Sequence, residues 1–232
     1  MADTSGAPRR AVRSFVIRAG RMTEAQQRAL AEFLPRYRLA LADLRAGLAQ
    51  ALPRGAPLHL EIGSGNGDNA LALAAARPGI DLIAAEVHPP GVGHTVLEAA
   101  RRGLDNLKVF DGDALELLAA LPAASLDAVY VFFPDPWPKK RHHKRRLVQA
   151  ELLALLATRL KAHGVARFAS DDADYAEQVR ALLTAETGWL NLAGEGAWAP
   201  RPHARIVTRF EGRARRDGRA VFELAWMRRP RA

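Results

Sequence analysis

Residues 58–67 read LHLEIGSGNG. An apolar run leads into Glu61, and Gly63, Gly65 and Gly67 then alternate before a helical stretch begins. Glycine tolerates positive φ and lets a ligand approach the backbone closely. A turn at the carboxyl end of a parallel strand is also where α/β sheets bind ligands. A dinucleotide loop requires G-x-G-x-x-G, with a pyrophosphate at the helix N-terminus. Here position 68 is Asp, so the third glycine comes one residue early. A P-loop is excluded because no Gly-Lys-Ser/Thr follows. Glu61, just before the first glycine, disfavours a pyrophosphate and suits a ligand with a positive end.

Outward from this turn the chain alternates strands and helices. Apolar segments at 58–62, 82–86, 108–110, 126–133 and 165–170 are separated by helical stretches near 69–76, 92–102, 114–120, 144–161 and 172–187. Short apolar strands with helix-length spacers predict βαβ units and a parallel sheet, an α/β fold. The end differs: 189–192 and 222–227 read as strands with a basic segment between them. Two further acids recur at strand ends. Glu86 closes the second strand, 19 residues after Gly67, where a carboxylate accepts ribose hydroxyls. Asp113, in the run FDGDA after the third strand, is placed to accept from an adenine amino group. Three acids and the early glycine point to S-adenosylmethionine, a cofactor with a cationic sulfonium and amino group.

Residues 126–138 read LDAVYVFFPDPWP. A nearly continuous apolar run predicts a central strand buried on both faces. It ends in Asp135 between Pro134 and Pro136, which stiffen the loop, so Asp135 is expected at a fourth strand end beside the methyl donor. Trp137 offers an aromatic face to a base or to the cofactor. The run KKRHHKRR, 139–146, follows directly. Such a run is commonly a solvated helix start, but beside a transfer site it suits the phosphates of a nucleic acid. Its two histidines have no carboxylates at ligand spacing, so no metal is expected.

The composition agrees. Hydrophobic residues make up 49% of 232 and charged residues 25%, the balance of a globular chain with a full core. Lys and Arg number 34 against 25 Asp and Glu, and the net charge of +9 favours a polyanionic partner. An Arg-rich composition by itself yields the same surplus, so the clustering at 139–146 carries the argument. The absence of cysteine excludes disulfides and a thiol nucleophile. With no membrane-length apolar run and no signal-peptide core, a cytoplasmic protein is expected. Residues 1–12 are expected to be a disordered lead-in, 13–57 an N-terminal basic arm with helices, and 58–232 the cofactor-binding domain. Within the arm, Thr23 and Gln26 form a capping-box pattern, with helices expected to about Phe33 and over 37–52. Arg13, Arg18 and Arg21 either grip phosphates or decorate a solvated arm. Trp189, Trp198 and Trp226 are expected to pack in the core.

RSFVIRAGR, LEIGSGNG, Glu86, FPDPWPKKRHHKRR and VTRFE, in this order, resemble the bacterial tRNA (guanine-N(7)-)-methyltransferase family over nearly the whole chain from Arg13. The resemblance implies a Rossmann-like class I methyltransferase with a seven-stranded, mostly parallel sheet and helices on both faces. It implies S-adenosylmethionine as cofactor and a guanosine of the tRNA variable loop as substrate. Cofactor contacts then fall on Glu61, Gly63, Gly65, Glu86, Asp113 and Asp135, with Asp135 as the catalytic position. Substrate contacts fall on Lys139, Asp171, Thr208, Arg209, Phe210 and Glu211. Ser170 stands where the family often has Thr, which keeps the hydroxyl. A methyltransferase acting on another RNA and a non-catalytic RNA-binding protein are the competing readings, and the sequence leaves monomer and homodimer both open.

Overall fold

A computed structural model describes residues 14–15, 21–203 and 205–230. The expected lead-in, and Arg13 and Arg18 of the arm, lie outside the described residues. Strands β1 (Leu58–Ile62), β2 (Asp81–Ala85), β3 (Leu107–Phe110), β4 (Leu126–Phe132), β5 (Leu160–Ser170), β6 (Trp189–Asn191) and β7 (Phe222–Arg228) form one sheet in the order β3-β2-β1-β4-β5-β7-β6. The first five pair in parallel, and β7 runs antiparallel to β5 and β6. Strand order reverses between β1 and β4, which opens a crevice at their carboxyl ends. The seven-stranded Rossmann-like sheet that the family resemblance implies is therefore present.

Helices cover both faces. Helices α1 (Glu24–Glu32), α2 (Leu34–Tyr37), α5 (Asp68–Ala76) and α6 (Pro89–Arg101) bury Leu82, Ala84, Leu107 and Val109 on one side. Helices α3 (Leu41–Ala46), α4 (Leu48–Ala51), α7 (Ala114–Ala120), α8 (Ala150–Arg159) and α9 (Ala173–Ala185) close over Leu60, Ile62, Val129, Val131 and Phe168 on the other. The amphipathic α10 (Arg209–Arg216) stands near the strand ends. Thr23 and Gln26 form the expected capping box, with Gln26 N–H donating to Thr23 Oγ1 at 3.2 Å and Thr23 N–H to Gln26 Oε1 at 2.9 Å. Trp189 and Trp226 are buried, and Trp198 packs against the same core.

Two expected helices are broken, each for a tertiary reason. The stretch 37–52 leaves the helix after Tyr37 because Leu39 is buried against the sheet edge, its N–H donating to Val109 O at 2.9 Å. That contact covers an edge strand that would otherwise stay unpaired, and Gly47, at φ 135°, then separates α3 from α4. The stretch 144–161 begins late because the basic run turns inward. Lys140–Arg145 form a 3-10 helix, and Arg146 is buried. Its guanidinium donates to Pro136 O at 2.9 Å, Gln178 Oε1 at 2.6 Å and Asp174 Oδ2 at 2.5 Å, and stacks on Tyr175.

Candidate active site

A cavity of about 790 Å3 occupies the crevice at the carboxyl ends of the parallel strands. The glycine turn forms its floor. Ser64 and Gly63 N–H groups donate to Ala85 O, tying the turn to the end of β2. Gly63 and Gly65, at φ 71° and 59°, have no atom within 4 Å of where a Cβ would stand, so their bare backbones face open space. Gly67 is constrained for a different reason. At φ 77° it caps α5, and a Cβ there would meet Thr95 Oγ1 at 2.3 Å. Gly91 of α6, which the sequence reading missed, plays the reciprocal part: its Cβ would strike Gly65 O at 2.3 Å. The turn is thus clamped by a second helix.

Four acids from four strand ends line this one cavity: Glu61, Glu86, Asp113 and Asp135. Burial pushes the Glu61 carboxyl up to about 7, against the hydrogen bond from Asn69 Nδ2 to its Oε2 at 3.0 Å. Glu86 is also raised by burial, while the N–H groups of His88, Gly65 and Val87 pull it back. Gly65 donates to Oε2 at 2.6 Å, and Val87 and His88 both donate to Oε1 at 2.8 Å. A carboxylate offers about four acceptor sites, so Oε2 retains room for a ligand hydroxyl. Asp113 caps α7, its Oδ1 accepting from Leu115 N–H at 2.9 Å. Asp135 is held between two non-glycine residues in the left-handed region, Phe133 at φ 52° and Trp137 at φ 47°. Such backbone costs about 1–3 kcal/mol per residue and collects at functional sites.

These residues fit S-adenosylmethionine. Ser64 Oγ is buried in the cavity wall without a hydrogen-bond partner among the described residues, an orphan that a polar ligand would satisfy. Glu61, costly as a lone buried anion, suits the positive methionine end, and the open glycine backbone suits close approach. Among the described residues no group of His, Asp and Glu is placed to hold a metal ion.

A family model described as "Putative methyltransferase" matches residues 55–224. The tRNA (guanine-N(7)-)-methyltransferase of Pseudomonas putida (strain W619) is 47% identical over 223 residues, covering 96% of this chain and 93% of its own. That of Chromohalobacter salexigens is 44% identical, covering 97% and 93%. The chain belongs to the tRNA (guanine-N(7)-)-methyltransferase family. Among solved structures, the 16S rRNA methyltransferase KamB superposes with a TM-score of 0.55 at 16% identity, covering 93% of this chain and 99% of its own, a likeness of fold.

The positions that the family resemblance assigns to substrate divide into two groups. Thr208, Arg209 and Phe210 reach the cavity wall at the start of α10, together with Arg213, which the sequence reading did not single out. Phe210 is 58% exposed, an open aromatic face at the mouth. Lys139, Asp171 and Glu211 do not line the cavity. Lys139 is exposed beside the Pro138 wall, and Asp171 is paired with Arg219. Glu211 is fully buried and points into a cluster of cations. It pairs with Arg201 at 2.8 Å, Arg205 at 2.7 Å and Arg215 at 2.5 Å, and Arg205 also pairs with Glu223 of β7. Arg205 stacks on Phe132 and Phe133 at the end of β4. Glu211 therefore anchors α10, through Arg205, to the end of β4, which leads into the loop of Asp135. Nothing in the alternation of residues 201–211 signals this, because the partners converge only in three dimensions. Trp137 is also partly engaged: Arg145 covers its ring at 3.9 Å, and its Nε1 donates to Ser14 O at 3.1 Å. Phe210, not Trp137, is the aromatic residue with a large free surface at the mouth.

Proposed function

We infer that this protein transfers the methyl group of S-adenosylmethionine to nitrogen 7 of a guanosine in tRNA. The observation that carries this reading is the convergence of Glu61, Glu86, Asp113 and Asp135 on one cavity, in a chain 47% identical over nearly its whole length to a tRNA (guanine-N(7)-)-methyltransferase. The cofactor supplies an electrophilic methyl carbon. When bound, it would give up that methyl to the N7 lone pair, with the C–S electron pair staying on sulfur, so that the products would be S-adenosylhomocysteine and a cationic 7-methylguanine. N7 carries no proton, so the site needs no strong base, and catalysis is chiefly alignment of the base for in-line attack. Glu86 would hold the ribose, Asp113 the adenine amine and Glu61 the cationic methionine end. Asp135 orients guanine by accepting from its ring N–H and exocyclic amine, and its charge faces the positive charge that develops on the base. Phe210 stacks on the guanine, and Thr208 and Arg209 hold the adjoining nucleotide.

The substrate guanosine is placed in the variable loop, and the exposed members of the basic run, Lys139, Lys140, Arg141 and Lys144, hold flanking phosphates. Asp171, freed from Arg219 when RNA binds, completes the base contacts. The reaction is assigned to the cytoplasm, where tRNA is modified. The test is incubation of the full chain with an unmodified tRNA transcript and the cofactor, followed by nucleoside mass spectrometry. The expected product is 7-methylguanosine. Its absence under conditions where calorimetry shows cofactor binding overturns the assignment.

A further inference from the structure

A second cavity of about 280 Å3 lies on the sheet face beside α5, apart from the strand-end site but sharing Asn69 and Phe132 with it. Its polar lining includes His59 of β1, Tyr130 of β4, Arg167 of β5 and Arg77 at the end of α5. Tyr130 and Arg167 are register partners on adjacent parallel strands, so both side chains leave the sheet on this face. Tyr130 OH lies 2.9 Å from His59 Nδ1. Both guanidiniums face the phenol closely enough to oppose the upward pull of burial on its pKa.

The charges here are unbalanced. Neither the Arg77 nor the Arg167 guanidinium has a salt bridge or hydrogen bond among the described residues. Arg167 is half-buried in the middle of a strand. The acid on this wall, Asp127, is already engaged by Lys161 Nζ and Leu58 N–H, both at 2.8 Å. Arg205, which closes one end, is matched by Glu211 and Glu223. A half-buried guanidinium with no counter-charge is unfavourable, and its planar fork matches a phosphate. Burial lowers the His59 pKa, so the imidazole contributes a hydrogen-bonding group without added charge.

We propose that this groove is an oxyanion site that takes a phosphate group through Arg77, Arg167 and the Tyr130–His59 pair, and that in the working complex the phosphate belongs to the RNA backbone. The two cavities share a wall in Asn69 and Phe132, so the groove lies next to the active site. The RNA source rests on the tRNA reading above, whereas the phosphate chemistry does not.

The test uses the full chain and its Arg77→Gln, Arg167→Gln and double variants. Affinity for an unmodified tRNA transcript is measured against KCl concentration, with cofactor affinity by calorimetry as the folding control. Each phosphate contact contributes about 0.7–0.9 to the log–log salt slope. The double variant is expected to lose about one unit of slope with cofactor affinity unchanged. In parallel, inorganic phosphate is titrated in a thermal-shift assay. A rise in Tm in the parent and not in the double variant, with an unchanged tRNA slope, assigns the groove to a free phosphate-bearing ligand. An unchanged slope with no phosphate effect overturns the proposal. Should Arg167→Gln fail to fold, Arg77→Gln, at an exposed helix end, carries both readouts. If the parent neither binds nor methylates tRNA, the functional reading fails and the phosphate titration alone decides the groove.

Discussion

Glu61 is unfavourable as a buried anion in the free protein, and on the proposed function it meets the cationic end of the cofactor. Its folded pKa is raised from 4.5 to about 7 by burial, so its protonated form is the stable one in the empty cavity. The contribution to stability is full below about pH 4.5 and is lost as pH rises through about 7. Glu61→Gln is therefore expected to flatten the decline in Tm of the cofactor-free protein between pH 5 and 8, measured by calorimetry. The bound cation reverses the preference, so affinity for S-adenosylmethionine should strengthen from pH 6 to 7.5. The Gln variant should bind about tenfold or more weakly at pH 7.5, the scale of losing one charged hydrogen bond; equal affinities at that pH would remove Glu61 from the cofactor site. For Asp135, which sits in the cavity wall between two strained residues, replacement by Ala should abolish turnover and leave the circular dichroism spectrum unchanged. Near-normal activity would exclude it from the reaction. Both acids were legible in the sequence because Glu61 stands near the end of one apolar strand and Asp135 just after another. The clamp of Gly91 on Gly65 was not, since nothing near Gly91 in the chain records which backbone will lie against it.

At the scale of an element, α10 shows how one short helix divides its residues between contact and anchorage. Thr208 caps it, its Oγ1 accepting from Glu211 N–H at 3.3 Å, and the same turn sends Phe210 to the cavity mouth and Glu211 into the arginine cluster. Removing one partner from a buried charged cluster costs about 3–5 kcal/mol. Glu211→Ala is therefore expected to lower Tm by many degrees, whereas Phe210→Ala should leave Tm nearly unchanged and raise KM for tRNA. Scanning calorimetry beside steady-state kinetics distinguishes the two; a normal Tm for Glu211→Ala would refute the anchoring role. The sequence placed both residues in one motif. It could not separate them, because which face of α10 turns inward depends on Arg201, Arg205 and Glu223 arriving from other parts of the chain. The basic run behaves in the same way: the density of charge at 139–146 was plain, but the inward turn of Arg146 depends on Asp174, Gln178 and Tyr175 of α9.

For the whole molecule, the reversal of strand order between β1 and β4 brings residues from 61 to 213 onto one cavity. A ligand that binds only this folded arrangement stabilises it by mass action, about 2.7 kcal/mol at a hundred times Kd. Saturating S-adenosylmethionine should therefore raise the Tm of the full chain by several degrees, and no shift at a concentration far above Kd would contradict a preformed site. The alternation of apolar runs and helix-length spacers, the glycine turn, the acids at strand ends and the FPDPW loop were all readable from the chain, because each is a local pattern with a local physical cause. The N-terminal segment was less so: helices α1 to α4 share the two main cores, and the departure at Leu39 follows from a sheet edge that needed covering. The sequence by itself determined the sheet class, the character of the cofactor and which acids stand at the strand ends around the cavity. Only the tertiary structure decided that Glu211 anchors while Phe210 stands open, and that Arg77 and Arg167 meet on one groove, because burial and charge pairing are set by partners distant in sequence.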